Sequence, residues 1–194
     1  MCPSPEWAEH IRGDILPLLT RDLDLGSHML EIGPGPGAAT GWLADRVFKL
    51  TALEIDPDAA RLLADRYADS NVKIVTGNAT ELDWPPESFD SVGCFTMLHH
   101  VPTPALQNAV LAEAFRVLRP GGVLIGSDSL ASDDLHHFHE GDTYNPVEPA
   151  ALLTRLQTIG FAPVTVTVTY SVLFIAFKPA GDGQAAATLT QGAR

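Results

Sequence analysis

At 194 residues, 45% of them apolar and 19% charged, the chain has the size and make-up of one globular domain. Its 24 acidic and 12 basic residues give a net charge of −12, and the basic ones are scattered from Arg12 to Arg194 without a stripe. Such a surface repels phosphate backbones and anionic membranes. Two cysteines, Cys2 and Cys94, cannot build a disulfide framework. The longest strongly apolar run, 172–177, is far too short to span a bilayer, and the first twenty residues lack a basic start followed by an apolar run. These properties predict a cytoplasmic protein with no integral membrane segment and no nucleic-acid partner. They say nothing of oligomeric state.

Along the chain, β-rich apolar runs alternate with helical patterns, which predicts βαβ units. Ser4 as cap with Pro5 at the first helical position opens a leading helix to about residue 19, followed by a linker to 27. Strands are expected at 28–32 and 48–55, with a helix near 37–46 between them. In the next helix Ala60, Leu63, Ala64 and Tyr67 share one face. Strands follow at 72–75 and 91–95. A helix over 104–118 is expected to bury Leu106, Val110, Ala114 and Leu118, and Pro120-Gly121-Gly122 stops it. After a strand at 123–127 comes a polar, His-rich stretch over 129–145. A helix over 148–159 ends at Gly160. The runs 163–169 and 171–177, separated by Tyr170, read as an antiparallel hairpin at the sheet edge. The tail from 179 is low in apolar bulk and is expected to be disordered.

The predicted fold is α/β: a doubly wound, mainly parallel seven-stranded sheet with helices on both faces and the antiparallel hairpin at its C-terminal edge. One domain is expected over 1–178, with a lid-like insertion at 129–147.

The chemistry concentrates in Glu31-Ile32-Gly33-Pro34-Gly35-Pro36-Gly37. Glycines at every second position after a strand permit a tight turn and close approach of a ligand. A helix beginning at Gly37 would aim free N–H groups at that ligand. The stretch also reads G-x-G-x-x-A from Gly33 to Ala38, a dinucleotide-binding spacing. Glu54 ends the second strand about twenty residues on, where a carboxylate can accept from both hydroxyls of an adenosine ribose. Asp56, before Pro57, reads as a helix cap. These residues alone leave three readings open: an S-adenosylmethionine enzyme, an NAD(P)-dependent oxidoreductase, and a cofactor-binding protein without catalysis.

The stretch 30–40 resembles the first motif of class I S-adenosylmethionine-dependent methyltransferases, and Leu53-Glu54-Ile55-Asp56 resembles their second. Thr76-Gly77-Asn78-Ala79 is similar to their G-D-A, the segment 89–101 to their F-D-x-V…L-H-H region, and Arg116-Val117-Leu118-Arg119-Pro120-Gly121-Gly122 to their R-V-L-K-P-G-G. The resemblance implies S-adenosylmethionine as methyl donor, S-adenosylhomocysteine as product and a small-molecule acceptor. It implies that Glu31, Gly33, Gly35 and Gly37 hold the methionine portion and Glu54 the ribose. Ile55 would pack on adenine, Asn78 and Ala79 would face its edge, and Cys94 and Phe95 would line the site near the methionine. Asn78 departs from the aspartate of many relatives, and its amide oxygen is expected to accept from the adenine amino group.

His99 and His100 are candidate bases, with a structural or lining role as the alternative. The run from Asp133 to Glu140 does not match a regular ligand spacing and lacks thiolates, so no metal is expected. That stretch reads instead as a polar lid whose Phe138 and histidines are placed to meet an acceptor.

Overall fold

In the computed structural model, which describes residues 5–138 and 143–181, seven strands form one sheet in the order β3-β2-β1-β4-β5-β7-β6. β1 (His28–Ile32), β2 (Lys49–Glu54), β3 (Val72–Thr76), β4 (Phe89–Phe95) and β5 (Leu118–Ser129) run parallel. β6 (Val164–Val168) and β7 (Ser171–Phe177) close the sheet antiparallel, with β6 at the edge, as the alternating Val/Thr pattern predicts. The chain winds outward in both directions from β1 and β4. Their carboxyl ends therefore bound the crevice in which doubly wound sheets hold ligands.

Helices cover both faces. α5 (Pro104–Val117) and α7 (Pro149–Ile159) bury Val110, Leu111, Ala114, Leu152 and Leu156 against Leu30, Ile32, Val92 and Leu124. On the other face, the leading helical stretch packs Ile11, Ile15, Leu16 and Leu19 against Met29, Leu50, Phe95 and Ile125. That stretch runs from α1 (Pro5–His10) through a π-helical turn (Ile11–Ile15) into α2 (Leu16–Thr20). The turn places Ile11, Ile15, Leu16 and Leu19 all on the buried side. α3 (Thr40–Ala44) adds Leu43 to the same core, and α4 (Pro57–Arg66) buries Ala60 and Leu63.

Several expectations change, among them the end of α5, where Leu118 opens β5 instead of closing the helix and residues 120–122 lie within that strand. The helix after the glycine loop begins at Thr40 rather than Gly37, because Gly37 sits at φ +85° and residues 35–39 form a turn. In α5, Leu106 is 40% exposed and Gln107 takes its place in the buried stripe. Gln107 Nε2 donates to Leu98 O at 2.9 Å and Asn145 O at 2.8 Å, so a polar side chain fills a core position with its donors used. In the α4 stripe, Ala64 is exposed and Tyr67 half-buried. Within the 129–145 stretch a short helix, α6 (Asp133–Phe138), forms. Ser4, His139, Glu140 and the tail beyond 181 lie outside the described residues.

Candidate active site

Glu31 stands on the central strand β1, where a parallel sheet buries both faces. It shares its face with Met29, is 2% exposed, and has one carboxyl oxygen, Oε2, with no hydrogen-bond partner among the described residues. Burial pushes its carboxyl up to about 7, and the nearby Glu54 adds to the rise while the Thr40 hydroxyl draws it back. Thr40 is fully buried on α3, with its hydroxyl toward the Glu31 carboxyl.

Beyond β1 the chain turns through glycines with different surroundings. A Cβ on Gly33 would press on Met97 at 3.0 Å, and one on Gly37 would meet Leu63 at 2.7 Å. Gly35, at φ +52°, faces open space within 4 Å. Packing thus accounts for two of the glycines, whereas the direction a side chain at Gly35 would take is left clear.

Glu54 ends β2 and is 6% exposed. Its Oε2 accepts from Gly35 N at 2.9 Å, and its Oε1 from Ile55 N at 2.9 Å and Asp56 N at 3.1 Å. One carboxylate therefore ties the glycine loop to the end of β2. Asp56 caps α4, accepting from Asp58 N at 2.8 Å and Ala59 N at 3.3 Å, which leaves Glu54 alone at the crevice. Ile55 beside it is 69% exposed, an apolar surface next to the two carboxylates.

Gly77 N donates to Glu54 O at 2.9 Å, so the loop after β3 adjoins Glu54 on the side away from Gly35. Asn78 begins a turn in which Glu81 N donates to Asn78 O at 3.2 Å. Its Oδ1 accepts from Thr80 N at 3.0 Å and Thr80 Oγ1 at 2.9 Å, and Ala79 beside it is half-buried. The amide oxygen on which the sequence reading relied is already engaged within the loop.

At the end of β4, Cys94 and Phe95 point to opposite faces, as strand alternation requires. Cys94 lies in the core under α5 and α7, and desolvation with the charge of Asp128 pushes its thiol up. Phe95 is 8% exposed and belongs to the face of Met29 and Glu31. Thr96 follows at φ +57°, with its N–H donating to Ser127 O at 2.7 Å.

His99 lies in a 3₁₀ turn (Leu98–His100) and is fully buried. Its Nδ1 is 2.5 Å from Asp128 Oδ1, and that oxygen also accepts from Ser129 N at 2.8 Å. His100 is half-buried, its ring 4.1 Å from that of His99. Asn145 N donates to His99 O at 2.7 Å and Asn145 Nδ2 to Val101 O at 3.1 Å, binding the chain after the polar stretch onto this turn. Asp128, Thr40 and Gln107 are the participants the sequence reading missed. The polar end of β5, Ser127-Asp128-Ser129 after an apolar run, is the signal that singles out Asp128. Among the described residues, no group of three or more His, Cys, Asp or Glu stands together as a metal site. No helix among them is long and apolar enough to cross a membrane.

Comparison with known proteins agrees with this geometry. Residues 30–126 match the family model of a methyltransferase domain. The chain is 36% identical over 85 residues to a probable ribosomal RNA small subunit methyltransferase A of Pyrobaculum islandicum, covering 43% of this chain and 36% of that protein. It is 34% identical over 119 residues to demethylluteothin O-methyltransferase of Streptomyces thioluteus, covering 57% of this chain and 50% of that protein. The chain thus spans half or less of the length of these curated relatives. The crystal structure of a SAM-dependent methyltransferase from Methanosarcina mazei superposes with a TM-score of 0.73 at 20% identity, covering 86% of this chain and 99% of that one, a likeness of fold. Motifs, sheet order and family match converge, and the nicotinamide alternative falls away: the chain belongs to the class I S-adenosylmethionine-dependent methyltransferase family.

Proposed function

We propose that this chain transfers the methyl group of S-adenosylmethionine to a small-molecule acceptor, leaving S-adenosylhomocysteine. Two observations carry the donor half: the partnerless Glu31 Oε2 on β1, and the open flank of Gly35 in the loop that follows the strand. A buried polar atom without a partner costs about 1–3 kcal/mol, and the ammonium of a methionine moiety is a group that relieves it. Glu31 with Gly33, Gly35 and Gly37 holds that portion, Phe95 flanks it, and Glu54, three of whose acceptor positions are taken by backbone N–H groups, keeps one on Oε2 for a ribose hydroxyl. Ile55 covers a face of the adenine, and Asn78 with Ala79 meets its edge. When bound, the donor supplies a methyl carbon on a sulfonium, already an excellent leaving group. The protein's part is to hold the acceptor in line and keep water out, alignment being worth up to about 7–11 kcal/mol.

For the acceptor, the net charge of −12 favours a small molecule over a polyphosphate backbone. The match to the ribosomal RNA methyltransferase covers only 85 residues, whereas that to the demethylluteothin O-methyltransferase covers 119. His99 is read as a positioning residue, since its Nδ1 is committed to Asp128 and its backbone to Asn145. The test is a screen with methyl-labelled S-adenosylmethionine against a fractionated metabolite extract and, separately, total RNA. Label in a small-molecule fraction is expected. Label in RNA would overturn the acceptor reading, and tight binding of S-adenosylhomocysteine without transfer to either would point to a non-catalytic binder.

A further inference from the structure

The loop after β3 fixes the chemical character of one group at the proposed nucleobase position. Asn78 Oδ1 accepts two hydrogen bonds from Thr80, one from its backbone N–H at 3.0 Å and one from its hydroxyl at 2.9 Å. Chemistry decides which end of the carboxamide faces Thr80. A backbone N–H can only donate, so the atom facing Thr80 N is the oxygen. The planar carboxamide then turns its amino group, Nδ2, away from Thr80. Asn78 is exposed, and Nδ2 is what it offers to an incoming ligand.

The topology places this donor relative to the rest of the site. Gly35 N and Gly77 N both bond Glu54, one to its carboxylate and one to its carbonyl, from opposite sides. A ribose held at Glu54 with its amino-acid arm toward the glycine loop therefore sends its base toward Asn78, Ala79 and the exposed Ile55.

We propose that Asn78 acts as a hydrogen-bond donor toward the edge of the purine, so that this side chain offers no acceptor for a 6-amino group and tolerates a 6-oxo group in its place. This rests on the donor-site reading above, which sets Asn78 at the base. An adenine meets Nδ2 through a ring nitrogen, and a hypoxanthine meets it through its carbonyl. An aspartate at the same position would satisfy Thr80 with one oxygen and present the other as an acceptor. It would reward the amino group and repel the carbonyl.

The experiment is calorimetry with two probes, S-adenosylhomocysteine and S-inosylhomocysteine, on the wild-type chain, Asn78→Asp and Asn78→Ala. Asp serves the Thr80 turn as well as Asn, so N78D is expected to fold, and unchanged thermal unfolding without ligand checks this. The quantity read is the ratio of the two dissociation constants within each protein. The cost of the extra ring N–H of hypoxanthine elsewhere in the pocket is common to both proteins and cancels between their ratios. N78D is expected to raise the preference for the 6-amino probe by about ten-fold or more, mainly by weakening the 6-oxo probe. If the wild type already prefers the amino probe strongly, and N78A alone abolishes that preference, Asn78 is an acceptor and the inference is wrong while its placement stands. If neither substitution moves either constant, Asn78 does not touch the base and the placement itself fails.

Discussion

Replacing Glu31 by Gln should stabilise the ligand-free protein while weakening donor binding, two effects of opposite sign from one buried carboxyl. Burial holds this group near 7 in the folded chain against an ordinary 4.5. Below pH 4.5 both folded and unfolded chains carry the proton, and the group favours neither. Between 4.5 and about 7 the unfolded chain releases it while the folded one does not, so stability falls as pH rises, and above about 7 the loss is complete. At 1.36 kcal/mol per unit, the span from 4.5 to about 7 amounts to about 3 kcal/mol. Urea unfolding of wild type and E31Q at pH 5, 6, 7 and 8 isolates this contribution, because titrating groups other than the neighbouring Glu54 cancel in the difference. The two proteins should be closest at pH 5, with E31Q ahead by about 3 kcal/mol at pH 8. Binding of S-adenosylhomocysteine should run the other way: its ammonium favours the ionised carboxyl, so wild-type affinity rises toward pH 8 and that of E31Q stays flat and weaker. A stability difference that does not vary with pH, or one that favours the wild type at pH 8, would refute the reasoning.

Glu54→Ala removes an acceptor from three backbone N–H groups and should cost about 2 kcal/mol of unfolding free energy besides weakening S-adenosylhomocysteine binding; an unchanged melting temperature would contradict the bridge to Gly35. Gly35→Ala places a methyl group at φ +52° in the open flank, and calorimetry should show a loss of S-adenosylhomocysteine affinity larger than the stability cost of about 1 kcal/mol for the left-handed backbone. Asp128→Asn should lower stability by about 2 kcal/mol, because both the imidazole and Ser129 N lean on one oxygen; a loss below about 0.5 kcal/mol in urea titration would show that the pair contributes little.

The elements that local pattern dictates were legible in the sequence. β1 and β7 lie where the apolar runs place them, and the Val/Thr alternation of 164–168 marks a half-buried edge strand. Asp56 as helix cap, and hence the placement of Glu54 at the end of β2, also followed from local rules. What escaped depends on partners far along the chain. The stripe of α5 favours Leu106 by hydropathy, yet Gln107 is inside because Asn145, thirty-eight residues later, needs its amide. Asp128 matters because His99, twenty-nine residues earlier, lies against it. The helix start slipped from Gly37 to Thr40 because the same glycine that eases close approach also breaks helical φ. Asn78 was readable as a departure from the family pattern, but the engagement of its oxygen by Thr80 was not.

The two faces of the sheet differ at its carboxyl edge in a way that bears on where chemistry belongs. On the face of α5 and α7, Asp128, His99, Gln107 and Asn145 exchange hydrogen bonds with one another and with the backbone, and this network fixes the turn after β4. On the face of α1, α2 and α3, the polar atoms Glu31 Oε2 and Ser127 Oγ are buried without partners among the described residues. Arg155 Nη2 is the comparable atom on the α7 side, and its guanidinium already donates to Asn108 and Gln107. Leaving two such atoms on one face costs about 1–3 kcal/mol each. A folded chain tolerates this where a ligand later supplies the bonds. Phe95 belongs to this face and Cys94 to the other, so of the two β4 residues it is Phe95 that neighbours the groups a bound molecule would satisfy.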